Sequence, residues 1–370
     1  MLVVHAHGGP VLGPPQASRA DEDARRWAVT VQLGHAWAGT VLRQGGFAVA
    51  TAAEDTERMR RIFVQHVGQP RRTLLHGQIW GAMVAARAGA MYPKSWEGIP
   101  STSGVAGPAA YDSRLDLRAI YQLLCGSHPR PDEPAHPLAV GLPAGSGLTG
   151  AELAARADAC LGLRLPAAQR TPAAQGPHHI LSVLKGHGNS IAGHLDWGTF
   201  TLRDVVQKAG GPPFGNPRVR YAGSDDDAGL NAALDAAGLR FAPDPAAERR
   251  FAADVDRGCR FAVPVPTTHG IADSTVFVEG HDTLRRRMET AGHGARLVHT
   301  VVDSGEHGYL GDAIYPPLFE ALLAWVERGT KPTPAGIAER CRALRAAAPA
   351  ECRFVVDHAA RPLASRVAPR

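Results

Sequence analysis

The sequence predicts an α/β fold: a mainly parallel sheet flanked by helices, interrupted by a helical and irregular insertion. Three observations carry this. Short apolar runs alternate with amphipathic helical patterns up to about residue 105 and again between about 259 and 330, as in repeated βα units. The run Thr73-Leu74-Leu75-His76 ends in Gly77-Gln78-Ile79-Trp80-Gly81 and passes at once into an Ala-rich helical stretch, a strand, sharp turn and helix in succession. From about Ala109 the texture changes: Pro129, Pro131, Pro134, Pro137, Pro143, Pro212 and Pro213 punctuate loops and helices, with no alternating pattern long enough to extend a sheet.

Taken in order, Leu2 to Ala6 reads as a buried strand and runs directly into His7-Gly8-Gly9-Pro10. Ala20 to Trp27 reads as a charged helix and Gly39 to Leu42 as a short strand before the Gly45-Gly46 turn. From Ala53 to Val67, Met59, Ile62, Phe63 and His66 fall at helical spacing, and Pro70 stops the helix. The elbow follows, with a helix from Trp80 to Ala90 and a strand from Trp96 to Val105 with a Ser/Thr/Gly-rich end. Tyr111 to Leu124 is amphipathic and helical. The sheet pattern resumes at Phe261 to His269, then a charged helix from His281 to Ala291, a strand from Arg296 to Val302 and an amphipathic helix from Pro317 to Arg328. The expected organisation is a core of residues 1–108 and 259–330, an insertion of 109–258 laid over it as a lid, and a Pro/Arg-rich tail of 331–370. The opening strand has no basic segment and no cleavage site before it. The expectation is that a leader and the first strands of the fold are missing from this chain, either removed or left out by a start codon that lies inside the gene.

A chain of 370 residues with 44% hydrophobic content can bury a sizeable core. The net charge of +5 is spread along the chain without a compact basic block, so nucleic acid is not an expected partner. No apolar run approaches the roughly 20 residues of a membrane span. None of the five cysteines lies in C-x-x-C spacing, and His178, His179, His187 and His194 lack the His-Glu-x-x-His pattern. No metal and no cofactor are expected. Cys125 and Cys160 bracket a Pro-rich stretch; Cys341 and Cys352 flank a short helix-like piece. Disulfides Cys125–Cys160 and Cys341–Cys352 are expected, with Cys259 free, which places the chain in a secreted or periplasmic setting. Five buried thiols in a cytoplasmic protein is the alternative.

Gly77-Gln78-Ile79-Trp80-Gly81 has the layout of a nucleophile elbow, G-x-S-x-G. Its glycines let a strained turn residue sit with a helix crossing close behind. His7-Gly8-Gly9 after the first strand is an oxyanion-loop pattern, whose backbone N–H groups can approach a substrate oxygen. Asp273 and His307 follow two later strands, and catalytic groups gather at such strand ends in open α/β sheets.

On these residues the chain resembles a family of lidded α/β-hydrolases, secreted bacterial esterase-like proteins. Their elbow commonly reads His-Gly-Gln-Ser-Trp-Gly-Gly; here it is His76-Gly77-Gln78-Ile79-Trp80-Gly81-Ala82. Tyr111-Asp112-x-Arg114-Leu115-Asp116-Leu117-Arg118, Phe200-Thr201-Leu202-Arg203-Asp204 and Glu306-His307-Gly308-Tyr309-Leu310 also look like that family. The resemblance implies an α/β-hydrolase fold, Asp273 as triad acid and His307 as base, acting on a small-molecule or polymeric ester-like substrate. The oxyanion donors would be the N–H groups of Trp80 and of Gly8 or Gly9.

Ile79 departs from the family at the position that forms the covalent bond. A branched alkyl group cannot attack a carbonyl, so the expectation is a serine-hydrolase scaffold that is inactive as it stands. Ser146 and Ser190 lie in the insertion, and Ser101 and Ser103 have no helix N-terminus behind them; none is a convincing substitute. A non-catalytic ligand-binding pseudoenzyme, or a non-hydrolytic lyase using the His307–Asp273 pair, remain the alternatives.

Overall fold

Among the described residues, seven strands form one sheet in the order β2-β1-β3-β4-β5-β6-β7. They are β1 (Leu2–Ala6), β2 (Ala36–Gly39), β3 (Thr73–Gln78), β4 (Ser101–Thr102), β5 (Val265–Gly270), β6 (Leu297–Val302) and β7 (Phe354–Val355). All neighbours are parallel except β7, which pairs antiparallel with β6 through Val301↔Val355 and Val302↔Phe354. The computed structural model describes residues 1–126, 138–142, 145–169, 188–256 and 259–370. Within them the chain divides into a sheet unit, Met1–Gly107 with Asp254–Pro362, and an insertion unit, Pro108–Ala253 with Leu363–Arg370.

β1 and β3 are buried along their whole length, as expected of parallel strands covered on both faces. Alternate residues point to opposite faces. Val3, Leu74, Val298 and Val302 pack with Trp27, Tyr315, Leu318, Phe319, Leu322 and Ile337 on one side. That side is covered by α12 (Tyr315–Arg328) and α13 (Pro334–Leu344). α3 (Val49–His66) and α4 (Gly81–Met91) pack together against the sheet and bury Ala52, Ala53, Val84, Ala85 and Ala88. A residue distant in sequence caps α3: the Asp254 carboxylate accepts the N–H groups of Val49 (2.9 Å) and Ala50 (2.8 Å).

Three expectations are corrected. The second strand is Ala36–Gly39, not Gly39 to Leu42. Gly34, with φ +78°, ends the helical turn after Ala28–Gln32, so the chain extends immediately beyond it. The strand expected from Trp96 to Val105 is reduced to Ser101–Thr102. Its approach still hydrogen-bonds both neighbours, through Gly98 O from Leu75 N–H (3.0 Å) and Ile99 N–H to Pro264 O (2.9 Å), but Pro100 has no N–H to continue the ladder. Residues 331–370 are not a tail. Thr333 caps α13 by accepting the Gly336 N–H (3.1 Å), with Pro334 in its first turn. Ile337, Ala338 and Cys341 are buried, and β7 closes the sheet beyond β6. A Cys341–Cys352 disulfide ties α13 to the segment before β7.

The insertion unit contains no strand among the described residues. Its helices are α5 (Asp112–Cys125), α6 (Gly150–Leu161), α7 (Gly188–Asp196), α8 (Leu202–Ala209), α9 (Asp227–Ala236) and the start of α10 (Pro245–Val255). The Tyr111–Arg118 segment, one of those that carried the family resemblance, packs within this unit. The Tyr111 ring stacks on Trp197 at 4.7 Å between centroids, the Arg114 guanidinium lies over both rings, and Arg118 donates to Gly198 O (2.6 Å). Cys125–Cys160 joins the ends of α5 and α6. No helix among the described residues is long and apolar enough to cross a membrane.

Candidate active site

β3 ends at Gln78, α4 begins at Gly81, and Ile79 turns between them with φ +54°. The two elbow glycines have distinct jobs. A Cβ on Gly77 would lie 2.7 Å from the Ala82 Cα and the Gly81 carbonyl, so Gly77 lets the helix cross the strand it came from. A Cβ on Gly81 would collide with the carbonyl oxygens of Ala6 and His7, so Gly81 admits the end of β1. Ile79 is tied on both sides: its N–H donates to Thr102 O (2.9 Å), and its carbonyl accepts from Ala82 and Val105 (3.1 Å each). A β-branched residue in left-handed backbone is a genuine outlier. The elbow keeps its strained conformation although its side chain is hydrocarbon.

The loops after β5 and β6 bring Asp273 and His307 together: His307 Nδ1 lies 2.8 Å from Asp273 Oδ2. The carboxylate accepts, so Nδ1 carries the hydrogen, which in the neutral ring makes Nε2 the lone-pair nitrogen. Gly308, the next residue, packs against the elbow; a Cβ there would sit 3.2 Å from Ile79 Cδ1 and 2.7 Å from Gln78 Nε2. The imidazole loop and residue 79 are therefore neighbours. Ser103, also left-handed at φ +48° and fully buried, holds this loop by accepting the Gly308 N–H on Oγ (3.3 Å). Its hydroxyl is engaged as a support.

Asp273 is buried and its acceptor sites are filled. Oδ1 accepts from Thr275 N–H (2.8 Å) and Val276 N–H (3.1 Å). Oδ2 faces His307 and also His269, whose Nε2 lies 3.3 Å away. Burial alone would raise its pKa, but the bonds from His269 and His307 reverse that and hold it well below the ordinary carboxylate range. His269, fully buried, also donates from Nε2 to Val276 O (2.7 Å). In the sequence this histidine reads only as the end of a strand. The signal available was its position four residues before Asp273.

On the far side of Ile79, a Cβ on Gly8 would lie 2.7 Å from Ile79 Cδ1. Gly9 is left-handed at φ +76°, a conformation suited to glycine. Trp80, buried, starts the turn into α4 with its ring 6.0 Å from that of His7. His7 is neutral at pH 7: burial, with Arg19 nearby, lowers its pKa to about 4. The elbow position, the Asp273–His307 pair, Trp80 and the Gly8-Gly9 loop thus lie at the C-terminal ends of β1, β3, β5 and β6. Ile79, Asp273 and His307 follow one another along the chain in that order.

The parallel sheet, the elbow turn after β3 and the loops at the strand ends have the layout of the α/β-hydrolase fold. No family model matches the chain and no curated protein matches its sequence. Among solved structures it is similar to an esterase from Aspergillus oryzae, with 13% identity and a TM-score of 0.45 over 90% of this chain and 75% of that one. It is also similar to a rice cell wall degrading esterase, LipA, from Xanthomonas oryzae, with 14% identity and a TM-score of 0.42 over 88% and 81%. A third is feruloyl esterase B from Aspergillus oryzae, with 12% identity and a TM-score of 0.39 over 89% and 76%. The fold class stands on the strand order and the elbow of this chain itself.

Ser146 and Ser190 fall in the insertion unit, and Ser101 lies within β4. Among the described residues no group of three or more His, Cys, Asp or Glu side chains is placed to hold a metal ion. His178, His179 and His187 lie outside the described residues; His194 is buried in α7. Cys259 is the free thiol.

Proposed function

We propose that this chain is a carboxylic-ester hydrolase scaffold with its acid and base assembled and its nucleophile replaced. The observation that carries the reading is the 2.8 Å His307–Asp273 bond beside an elbow whose turn residue is Ile79. In the reaction this geometry suits, a hydroxyl at position 79 attacks the ester carbonyl. His307 Nε2 takes its proton and returns it to the leaving alcohol, while Asp273 fixes the tautomer and stabilises the imidazolium. The N–H groups of Trp80 and of Gly8 or Gly9 receive the oxyanion. With Ile79 in place no acyl-enzyme forms, and turnover rests at the level left when a triad enzyme loses its nucleophile, about a million-fold down.

The insertion is read as the lid that selects the acyl or alcohol group of a small-molecule or polymeric ester. The two disulfides fit a secreted or periplasmic setting. A second reading, general-base chemistry without a nucleophile, draws on the same intact pair.

The test is Ile79→Ser assayed on activated short-chain esters. Activity at least about 100-fold above the Ile79 protein is expected, abolished again by His307→Ala. A fluorophosphonate should label Ile79→Ser and leave the Ile79 protein unlabelled at this site. An Ile79→Ser protein that is folded, unlabelled and inert overturns the reading. Turnover of some substrate by the Ile79 protein, lost on His307→Ala without any covalent adduct, would instead favour the lyase.

A further inference from the structure

We propose that Arg19 is a positioning residue that clamps the Gly8–Gly9 peptide with its carbonyl turned outward, so that its N–H is free for an anion beside residue 79. The proposal rests on the reading of position 79 as the site of the nucleophile. It concerns the one part of the site that depends on the sense of a single flexible peptide.

Arg19 lies in the first turn of α1 (Ser18–Arg26). Its Nη2 donates to the carbonyl oxygen of Gly8 at 3.0 Å. The guanidinium is steered there by two carboxylates of the same helix: Nη1 donates to Glu22 at 3.3 Å, and Nε lies 3.7 Å from the buried Asp23. His7 Nδ1 approaches the same carbonyl at 3.4 Å. The carbonyl is thus fixed by a cation that is itself fixed on two sides.

In a trans peptide the C=O and the following N–H point in opposite directions. Holding Gly8 O toward Arg19 therefore turns the Gly9 N–H to the side away from it. The alternative sense is open to the backbone because both residues flanking the peptide are glycines, and Gly9 sits at φ +76°. A flip would present carbonyl oxygen where the chemistry requires a donor. Gly8 is in contact with Ile79, so the sense of this peptide is felt at the reacting position. A glycine pair gives close approach at the cost of conformational freedom, and Arg19 removes that freedom. Arginine suits this role because its planar fork can serve a carbonyl and a carboxylate at once.

Two measurements separate this from the hydrolase reading. The sequence holds three Gly-Gly pairs, Gly8–Gly9, Gly45–Gly46 and Gly210–Gly211. Glycine labelled with 13C at the carbonyl and 15N at the amide therefore gives three carbonyl-to-amide cross-peaks, with the Gly8–Gly9 peak identified by its loss in Gly9→Ala. In the Ile79 protein, Arg19→Gln should move the Gly8 carbonyl resonance upfield and leave the other two pairs in place; Arg26→Gln, on the same helix, should move none. A Gly8 resonance that stays put overturns the clamp. In the Ile79→Ser background, Arg19→Gln should lower kcat about 100-fold with KM unchanged, the loss seen when one oxyanion donor is removed, and Arg19→Lys should recover part of it. Unchanged kcat overturns the positioning role. If Ile79→Ser is inert while the Gly8 resonance moves, the hydrolase reading fails and the clamp stands.

Discussion

The side chain of Ile79 is packed against Gly8, so closely that a Cβ on Gly8 would lie 2.7 Å from Ile79 Cδ1. In an active elbow this is where the carbonyl of the substrate meets its oxyanion donors. On the proposed reading, the isoleucine both stands in place of the nucleophile and fills part of the space the reacting carbon would use. A variant with Ala at this position should empty the space without restoring a nucleophile. Ile79→Ala is expected to bind a non-hydrolysable ester analogue more tightly than the Ile79 protein, measured calorimetrically, with no gain in turnover. Equal affinity would show that the side chain does not obstruct the site.

The left-handed backbone at Ile79 carries its own cost, about 1–2 kcal/mol for a residue with a branched Cβ. Asn tolerates this conformation far better. Ile79→Asn should raise stability by about 1 kcal/mol, read as a higher denaturant midpoint with unchanged m-value. A lower midpoint would mean that the packing lost at Gly8 and Gly308 outweighs the strain relieved.

His269 should matter to Asp273 in a way that pH reveals. With His269→Asn the buried carboxylate loses a donor, at a cost of about 1.5–3 kcal/mol at pH 7. The folded pKa of Asp273 is depressed, so its contribution to stability is present above the unfolded carboxylate pKa and is lost as pH falls through the folded value. Removing His269 raises that folded value. The acid unfolding midpoint should therefore move to higher pH. In the Ile79→Ser background the loss of kcat at pH 7 should be modest, because the carboxylate remains ionised there and still faces His307.

The sheet was legible where its strands carry apolar runs: Leu2-Val3-Val4 in β1, Leu74-Leu75 in β3, and Leu297-Val298 with Val301-Val302 in β6, all buried. β2 and β4 were not. Ala36–Gly39 is short and follows a helix end marked only by Gly34, and β4 is cut to two residues by Pro100. α13 was hidden because its stability comes from tertiary burial of Ile337, Ala338 and Cys341, while its composition reads as a polar tail. Within the candidate site, the left-handed turn at Ile79 was readable because glycine spacing reports backbone geometry. Arg19, His269 and Ser103 were not, since each acts through a contact set by the fold: the Gly8 carbonyl, the Asp273 carboxylate and the Gly308 amide.

The glycines make a paired prediction. Gly81→Ala puts a methyl into the carbonyls at the end of β1, so it should cost about 1–3 kcal/mol or more. Gly193, exposed within α7, has nothing within 4 Å of its Cβ position. Gly193→Ala should stabilise by about 0.5–1 kcal/mol through helix propensity and reduced chain entropy. Thermal midpoints of the two variants should move in opposite directions.

The sheet unit also stores a set of buried neutral histidines that should govern its acid sensitivity. His5 and His76 are partners in β1 and β3 with Nδ1 atoms 3.0 Å apart, and His76 Nε2 contacts Thr102 Oγ1 at 2.9 Å. His299 stacks on His281 at 4.2 Å between centroids, with Nδ1 2.6 Å from Thr267 Oγ1. Burial lowers the pKa of His76 to about 3 and is the main cause of the lowering of His299 to about 4. A histidine whose folded pKa is depressed binds fewer protons than the unfolded chain between that value and about 6.5, so stability falls as pH drops through this window. Asp23 works the other way: burial raises its pKa to about 6, so the folded state gains a proton between the ordinary carboxylate value and 6. The histidines are more numerous and their windows wider, so the sheet unit should lose stability from pH 6.5 toward 4. His299→Gln removes one titrating group and should flatten that slope by about 1.4 kcal/mol per pH unit, measured by denaturant unfolding at several pH values. A slope that His299→Gln leaves unchanged would mean that this histidine already carries its proton in the folded chain.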